Sequence, residues 1–152
     1  MKNDLRQSFS LVEVLVFVTI LGLFFVAAAS ITLVSLRNMK INEHKIIATH
    51  YAEELLSWLR SEKDADWNTF ADWMPVDPAI VSYCINSTPS WPAISGKCAT
   101  NDYSLDLIFN RDLTLSKDAD PPSKFEVSIK VEWKELGNTY SVPLNTVFTI
   151  WE

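Results

Sequence analysis

The residue of most chemical interest is an acid in the wrong place. Glu13 stands near the start of a run that is otherwise apolar. An ionised carboxylate in a membrane-type helix costs ~2.5–3.5 kcal/mol on insertion scales, so such an acid is kept for a purpose and needs a partner. Cys84 and Cys98 lie in a Pro/Ser/Thr-rich stretch and show no CxxC redox or zinc spacing. Two cysteines close in sequence suit a disulfide in an oxidising compartment. Closing so short a loop is worth about 3 kcal/mol in the chain-entropy picture. Asp112, Asp118 and Asp120 could supply oxygen ligands to a hard cation such as calcium. They lack EF-hand spacing, so a solvated acidic loop between strands is expected, without metal. His44 and His50 are six apart and so do not share a helix face. Neither is expected to ligate or catalyse. Trp91, between prolines, is the tryptophan best placed for an exposed stacking contact, whereas Trp58, Trp67 and Trp73 fall where core packing is expected. There is no nucleophile motif and no histidine cluster. The expectation is a protein that is not an enzyme and carries no cofactor.

Composition narrows the class further. At 152 residues the chain fits one domain and an anchor. Its three glycines leave little scope for a phosphate-cradling loop. The net charge is -6. From position 64 onward, 13 acidic residues face 6 basic ones. A domain so acidic repels phosphate backbones, which argues against nucleic-acid binding.

The elements that position these residues can be read from patterning. Residues 1–8 are short and polar, with Lys2 and Arg6. Residues 14–36 contain no charge and no proline. About 20 apolar residues span a bilayer core, so this segment is long enough to cross one. A secretory signal peptide has a shorter apolar core, ~7–15 residues, and a cleavage site after it. Here an amphipathic helix follows without a break. Ile47, Ala48, Tyr51, Ala52, Leu55, Trp58 and Leu59 recur at spacings of three and four, with charged residues on the other faces. The simplest reading is one helix over residues 9–63, ~80 Å long at 1.5 Å per residue. Residues 9–36 would be its membrane half and 37–63 its amphipathic continuation. Asp64 and Asp66 end it, and Asp66 can cap a short second helix in which Trp67, Phe70, Ala71 and Met74 share a face before Pro75.

The globular domain is then residues 64–152. Residues 75–102 read as a loop stapled by the cysteines. Period-two alternation follows: Tyr103, Leu105, Leu107 and Phe109; then Phe125, Val127, Ile129, Val131 and Trp133; then Tyr140, Val142, Leu144, Thr146, Phe148 and Ile150. Glu135, Leu136, Gly137 and Asn138 form a turn. Pro143 marks an edge strand or a bulge. The fold expected is α+β: a long helix whose apolar stripe covers one face of an antiparallel sheet of three or four strands.

The string Ser8-Phe9-Ser10-Leu11-Val12-Glu13-Val14-Leu15-Val16 resembles the N-terminal processing motif of type IV prepilins and type II secretion pseudopilins. Gly22 falls where that family often has a glycine, and residues 42–67 look like the continuing pilin helix. The resemblance implies a pilin-like fold and a leader of residues 1–8. It implies cleavage by a prepilin peptidase between Ser8 and Phe9, and N-methylation of Phe9. Glu13 would become the fifth residue of the mature chain. The family usually has Gly where this chain has Ser8. Many major pilins also have a proline in the second half of the apolar run, where this chain has Ala27, Ala28, Ala29 and Ser30. The missing proline leans toward a minor pilin or a pseudopilin.

In this reading the new amine of Phe9 on one subunit pairs with Glu13 of a neighbour, which offsets the desolvation of both groups and fixes axial register. The alanine stretch narrows the helix and favours close packing. The implied partners are other pilin or pseudopilin subunits, the peptidase and an inner-membrane assembly platform. The implied location is the cytoplasmic membrane, single-pass, with the domain outside, and then a filament. The alternative is a single-pass anchored extracytoplasmic binding module that never assembles. Lys2 and Arg6 on one side, and Arg37, Lys40 and Lys45 on the other, leave orientation to the resemblance.

Overall fold

The computed structural model describes residues 10–73, 80–99, 105–118 and 122–150. The element order is α1 (Leu11–Ala65), α2 (Trp67–Asp72), β1 (Ile80–Cys84), β2 (Ile94–Ser95), β3 (Phe109–Lys117), β4 (Lys124–Glu135) and β5 (Asn138–Thr149). The arrangement is α+β and pilin-like, as expected: one long N-terminal helix packs its second half on an antiparallel sheet. The chain divides into two compact units after Asn42.

Helix α1 opens at Ser10, whose carbonyl accepts from the amides of Glu13 (3.0 Å) and Val14 (3.3 Å). It runs two residues past the expected end, because Asp64 and Ala65 still fit the helix and the break falls at Asp66. Asp66 is extended (φ -162°) and caps α2: its Oδ1 accepts from the amides of Asn68 (2.9 Å) and Thr69 (3.3 Å), and its Oδ2 from the Thr69 hydroxyl (2.7 Å). Met74 and Pro75 lie outside the described residues.

In the second unit the helical stripe is the one read from spacing. Ala48, Ala52, Leu55 and Leu59 are fully buried, and Ile47, Tyr51 and Trp58 flank them half-buried. The two alanines let the helix backbone approach the sheet, while each buried leucine contributes about 1.5–3 kcal/mol of transfer free energy. The facing residues are Phe109, Leu113 and Leu115 from β3, Phe125, Val127, Ile129, Val131 and Trp133 from β4, and Phe148 from β5.

The sheet has five strands in the order β2-β1-β3-β4-β5, all antiparallel. The alternating faces of β4 and β5 meet directly: Phe125 opposes Phe148, Ile129 opposes Leu144, Val131 opposes Val142 and Trp133 opposes Tyr140. The hairpin between them turns at Leu136 and Gly137, both with positive φ (51° and 82°), as a two-residue primed turn requires. Strand β5 is an edge. Counting pairs from Asn138, Pro143 falls at a position not hydrogen-bonded to β4, so its missing N–H faces the open side and costs the sheet nothing.

Two readings of the sequence are corrected. Residues 75–102 are not all loop, for they contain β1 and β2, which extend the sheet beyond the expected three or four strands. Strand β1 is five residues long with only its last two buried, too short for alternation to show. The strand expected over Tyr103, Leu105, Leu107 and Phe109 is instead a turn leading into β3. Asp106 and Leu107 have φ of 51° and 63°, and the Leu105 carbonyl accepts from the Phe109 amide at 3.0 Å. Tyr103 itself lies outside the described residues. The true inward series is Phe109, Arg111, Leu113 and Leu115, and the charged member disguises it.

Candidate functional site

Every described residue from Ser10 to Lys40 is exposed, and none of the helix's most apolar window is buried within the chain. The segment is long and apolar enough to cross a membrane. Leu11, Phe17, Leu23, Phe24, Phe25 and Ile31 each leave over 60% of their surface uncovered. A face so apolar is not stable in water, so lipid or other protein must cover it. Beyond its own helix backbone, Gly22 has no heavy atom within 4 Å of the place a Cβ would take among the described residues. Thr19, Ser30 and Thr32 satisfy their hydroxyls on helix carbonyls one turn back, at 2.8, 2.9 and 3.0 Å, which lets them sit in an apolar environment.

Glu13 is in the first turn of α1 and exposed. Ser10, Leu11, Val12 and Glu13 have the spacing of a capping box, and the positive end of the helix dipole favours a carboxylate there. The helix terminus therefore lowers the cost of an acid at this position without removing its need for a counter-charge once water is excluded. Ser8 and Phe9 lie outside the described residues.

The second unit carries the remaining candidates. Cys84, the last residue of β1, is disulfide-bonded to Cys98, with 4.7 Å between their Cα atoms. The bridge closes the segment that bears Trp91, whose peptide bond to Pro92 is cis. Trp91, the tryptophan best placed by sequence for an exposed contact, is half-buried among other aromatic rings. Its ring stacks on Trp73 at 4.9 Å and meets Trp58 and Tyr83 at 5.4 and 5.3 Å. Its indole nitrogen is buried without a hydrogen-bond partner among the described residues. The staple thus holds a half-buried aromatic cluster against the core. Tyr83 donates its hydroxyl to the Trp73 carbonyl at 2.8 Å, and burial raises its pKa.

The three aspartates do not form one loop. Asp112 is inside β3, nearly buried, and its Oδ1 accepts from the Cys98 amide at 2.7 Å. Burial pushes its carboxyl pKa up, against the lowering effect of that hydrogen bond. Asp118 follows β3 and braces the turn into β4, accepting from the Ser123 hydroxyl (2.8 Å) and the amides of Ser123 and Lys124 (both 3.2 Å). These bonds, the hydroxyl first, hold its pKa down. Asp120 lies outside the described residues. Among the described residues no three His, Cys, Asp or Glu side chains are grouped to hold a metal.

Two buried polar contacts escaped the sequence reading. Arg111 is fully buried on the helix side of β3. Its Nε donates to the Ile85 carbonyl (2.9 Å), its Nη2 to the Ser87 carbonyl (2.9 Å), and its Nη1 to both the Tyr51 carbonyl (2.8 Å) and Glu54 Oε2 (2.9 Å). One side chain thereby ties α1, β3 and the segment after β1 together. Burial lowers its pKa, with Glu54 opposing, and an arginine stays charged under such a shift. The legible signal was a charge at the third position of an otherwise apolar inward series. His44, the first buried residue of α1, places Nδ1 3.0 Å from Glu135 Oε2 and packs edge-on against Phe109 and Trp133. Its spacing one turn before Ala48 put it on the apolar stripe. His50 is exposed. These contacts orient the domain on its helix. Comparison with protein-family models, with curated proteins and with solved structures returned no match.

Proposed function

We propose that this protein is a structural, non-catalytic subunit of a type IV pilus-like or type II secretion pseudopilus filament, assembled through α1. One observation carries the reading. The first half of α1 leaves its whole apolar surface uncovered and bears a single acid, Glu13, in its first turn. A single apolar N-terminal helix is compatible with a single-pass membrane anchor, and the disulfide of the second unit suits an oxidising, extracytoplasmic setting. Lipid alone would cover the apolar surface, but lipid has no use for the acid. A neighbouring helix whose cleaved N-terminus presents an amine has one.

In this reading the peptidase cuts between Ser8 and Phe9, and the methylated amine of Phe9 pairs with Glu13 of an adjacent copy. The pairing sets register, since a charge left unpaired in the apolar layer is costly while the pair itself adds little net stability. Glu13→Ala is expected to leave leader removal and membrane insertion intact and to cut incorporation into filaments, measured by counting the variant against wild-type copies in purified filaments. Wild-type incorporation would refute the role of Glu13. A tethered module that never assembles would be absent from filaments in either form. Mass spectrometry of native protein is expected to find N-methyl-Phe9 as the first residue.

A further inference from the structure

The turn before β3 and the hairpin tip after β4 lie at the same end of the sheet, because Phe109 at the start of β3 pairs with Trp133 near the end of β4. Each carries a leucine in the left-handed region: Leu107 with φ 63° and Leu136 with φ 51°. Such positions favour Gly, Asn or Asp, since a Cβ there crowds the following carbonyl. Both leucines are also in solvent. Leu107 is 85% exposed, the most of any large apolar residue described, and Leu136 is 68% exposed. Neither belongs to the core. Two residues that each strain the backbone and bury nothing lie at one end of the sheet.

Their end of the unit is the one at which the chain arrives from the apolar segment. His44 touches Phe109, Trp133 and Glu135, whereas Lys63, near the far end of α1, lies over Phe148, at the other end of β5. Only eight residues separate His44 from Leu36, ~12 Å of helical rise. The headgroup layer of one leaflet takes up ~5–8 Å between the hydrocarbon core and water, so that rise exceeds it by only a few ångström. Residues 37–45 carry Arg37, Lys40 and Lys45 against Glu43, a surplus suited to anionic headgroups. The Glu135 carboxylate beside the hairpin tip is engaged by His44, while Asp106 and Lys134 flank the two turns with opposite charge.

We propose that Leu107 and Leu136 form a membrane-contact pair that rests the domain on the bilayer surface while the chain is anchored. The occupant is the boundary of headgroups and acyl chains, into which apolar side chains of peripheral elements reach by ~5–10 Å. The inference rests on the anchor part of the reading above and not on filament assembly.

The test uses the full chain in vesicles of phosphatidylethanolamine and phosphatidylglycerol. An environment-sensitive fluorophore is attached in turn to Leu107→Cys, Leu136→Cys, Val147→Cys and Phe25→Cys. A single label per chain shows that Cys84–Cys98 stayed closed and the domain folded. Lipids quenching near the top of the acyl chain are expected to quench labels 107 and 136 and to spare 147, an exposed apolar position at the other end of the sheet. Lipids quenching at the chain end are expected to quench label 25. Quenching at 25 with 107 and 136 in water overturns this inference and leaves the anchor standing. Protection at 107 and 136 that appears only at high protein-to-lipid ratio overturns it in favour of contact with a second copy. Label 25 in water overturns the anchor reading and this inference with it.

Discussion

Replacing Arg111 by Met separates two explanations of what holds the domain on its helix. If the ion pair with Glu54 matters most, Glu54→Gln should hurt about as much as Arg111→Met. The geometry says otherwise. Glu54 is 44% exposed and re-enters water when its partner goes, and a half-exposed pair is worth at most about 1 kcal/mol. The Ile85, Ser87 and Tyr51 carbonyls have a different fate, because Arg111→Met strips a donor from each inside the core. A buried acceptor left unpaired costs about 1–3 kcal/mol. The Tyr51 carbonyl is inside α1 and keeps its helical bond, so the sum falls toward the lower end, ~3–5 kcal/mol. All six tryptophans lie at or beyond Trp58, so indole emission reports the second unit alone. Urea unfolding of the full chain in detergent, followed by that emission, should show the midpoint for Arg111→Met lowered by about 1.5–2.5 M, for a slope of ~2 kcal/mol per M. Glu54→Gln should lose less than ~1 kcal/mol. Equal losses from the two variants, or a negligible loss from Arg111→Met, would refute the reasoning.

Opening the staple in Cys84→Ser/Cys98→Ser should cost about 3 kcal/mol for a loop of this length, and mild reductant should reproduce the loss in the wild type by the same urea assay. Asp112→Asn keeps an oxygen for the Cys98 amide and removes a charge that burial disfavours. The folded pKa of Asp112 is raised, so its contribution is fully present below the unfolded value and is lost as pH rises through the folded one. The variant should therefore match the wild type in acid and exceed it in stability at neutral pH, read as the gap between melting temperatures across a pH series. Leu136→Asn places the residue a primed turn prefers ahead of Gly137 and should stabilise the detergent-solubilised protein by about 1 kcal/mol. No gain in midpoint would show that the leucine is not strained.

Much of the architecture was legible because its signals were local. A charge-free run before residue 37, a stripe at spacings of three and four, and clean alternation in β4 and β5 each follow from one element burying one face. Asp66 could be named as a cap because capping involves only the next three residues. The cysteines could be paired because the chain offers only two. The motif around Glu13 was legible as a resemblance alone, and its chemistry belongs to contacts between chains.

What escaped was set at a distance or hidden by a broken pattern. Strand β1 is specified by its partner, β3, more than by its own five residues. Strand β3 was misplaced because an arginine occupies a core position. That arginine is tolerated only because carbonyls 24, 26 and 60 residues away converge on its donors. Trp91 looks like surface beside its prolines, and only the packing of Trp58, Trp73 and Tyr83 around it half-buries it against the core. Asp112 was expected in a solvated loop, but β3 carries it to the Cys98 amide. The sequence by itself determined the elements whose driving force is the burial of one regular face, and it marked the single acid in the apolar run. The tertiary structure alone decided where buried polar groups find partners, since hydrogen bonds between distant segments exist only once the fold has brought them together.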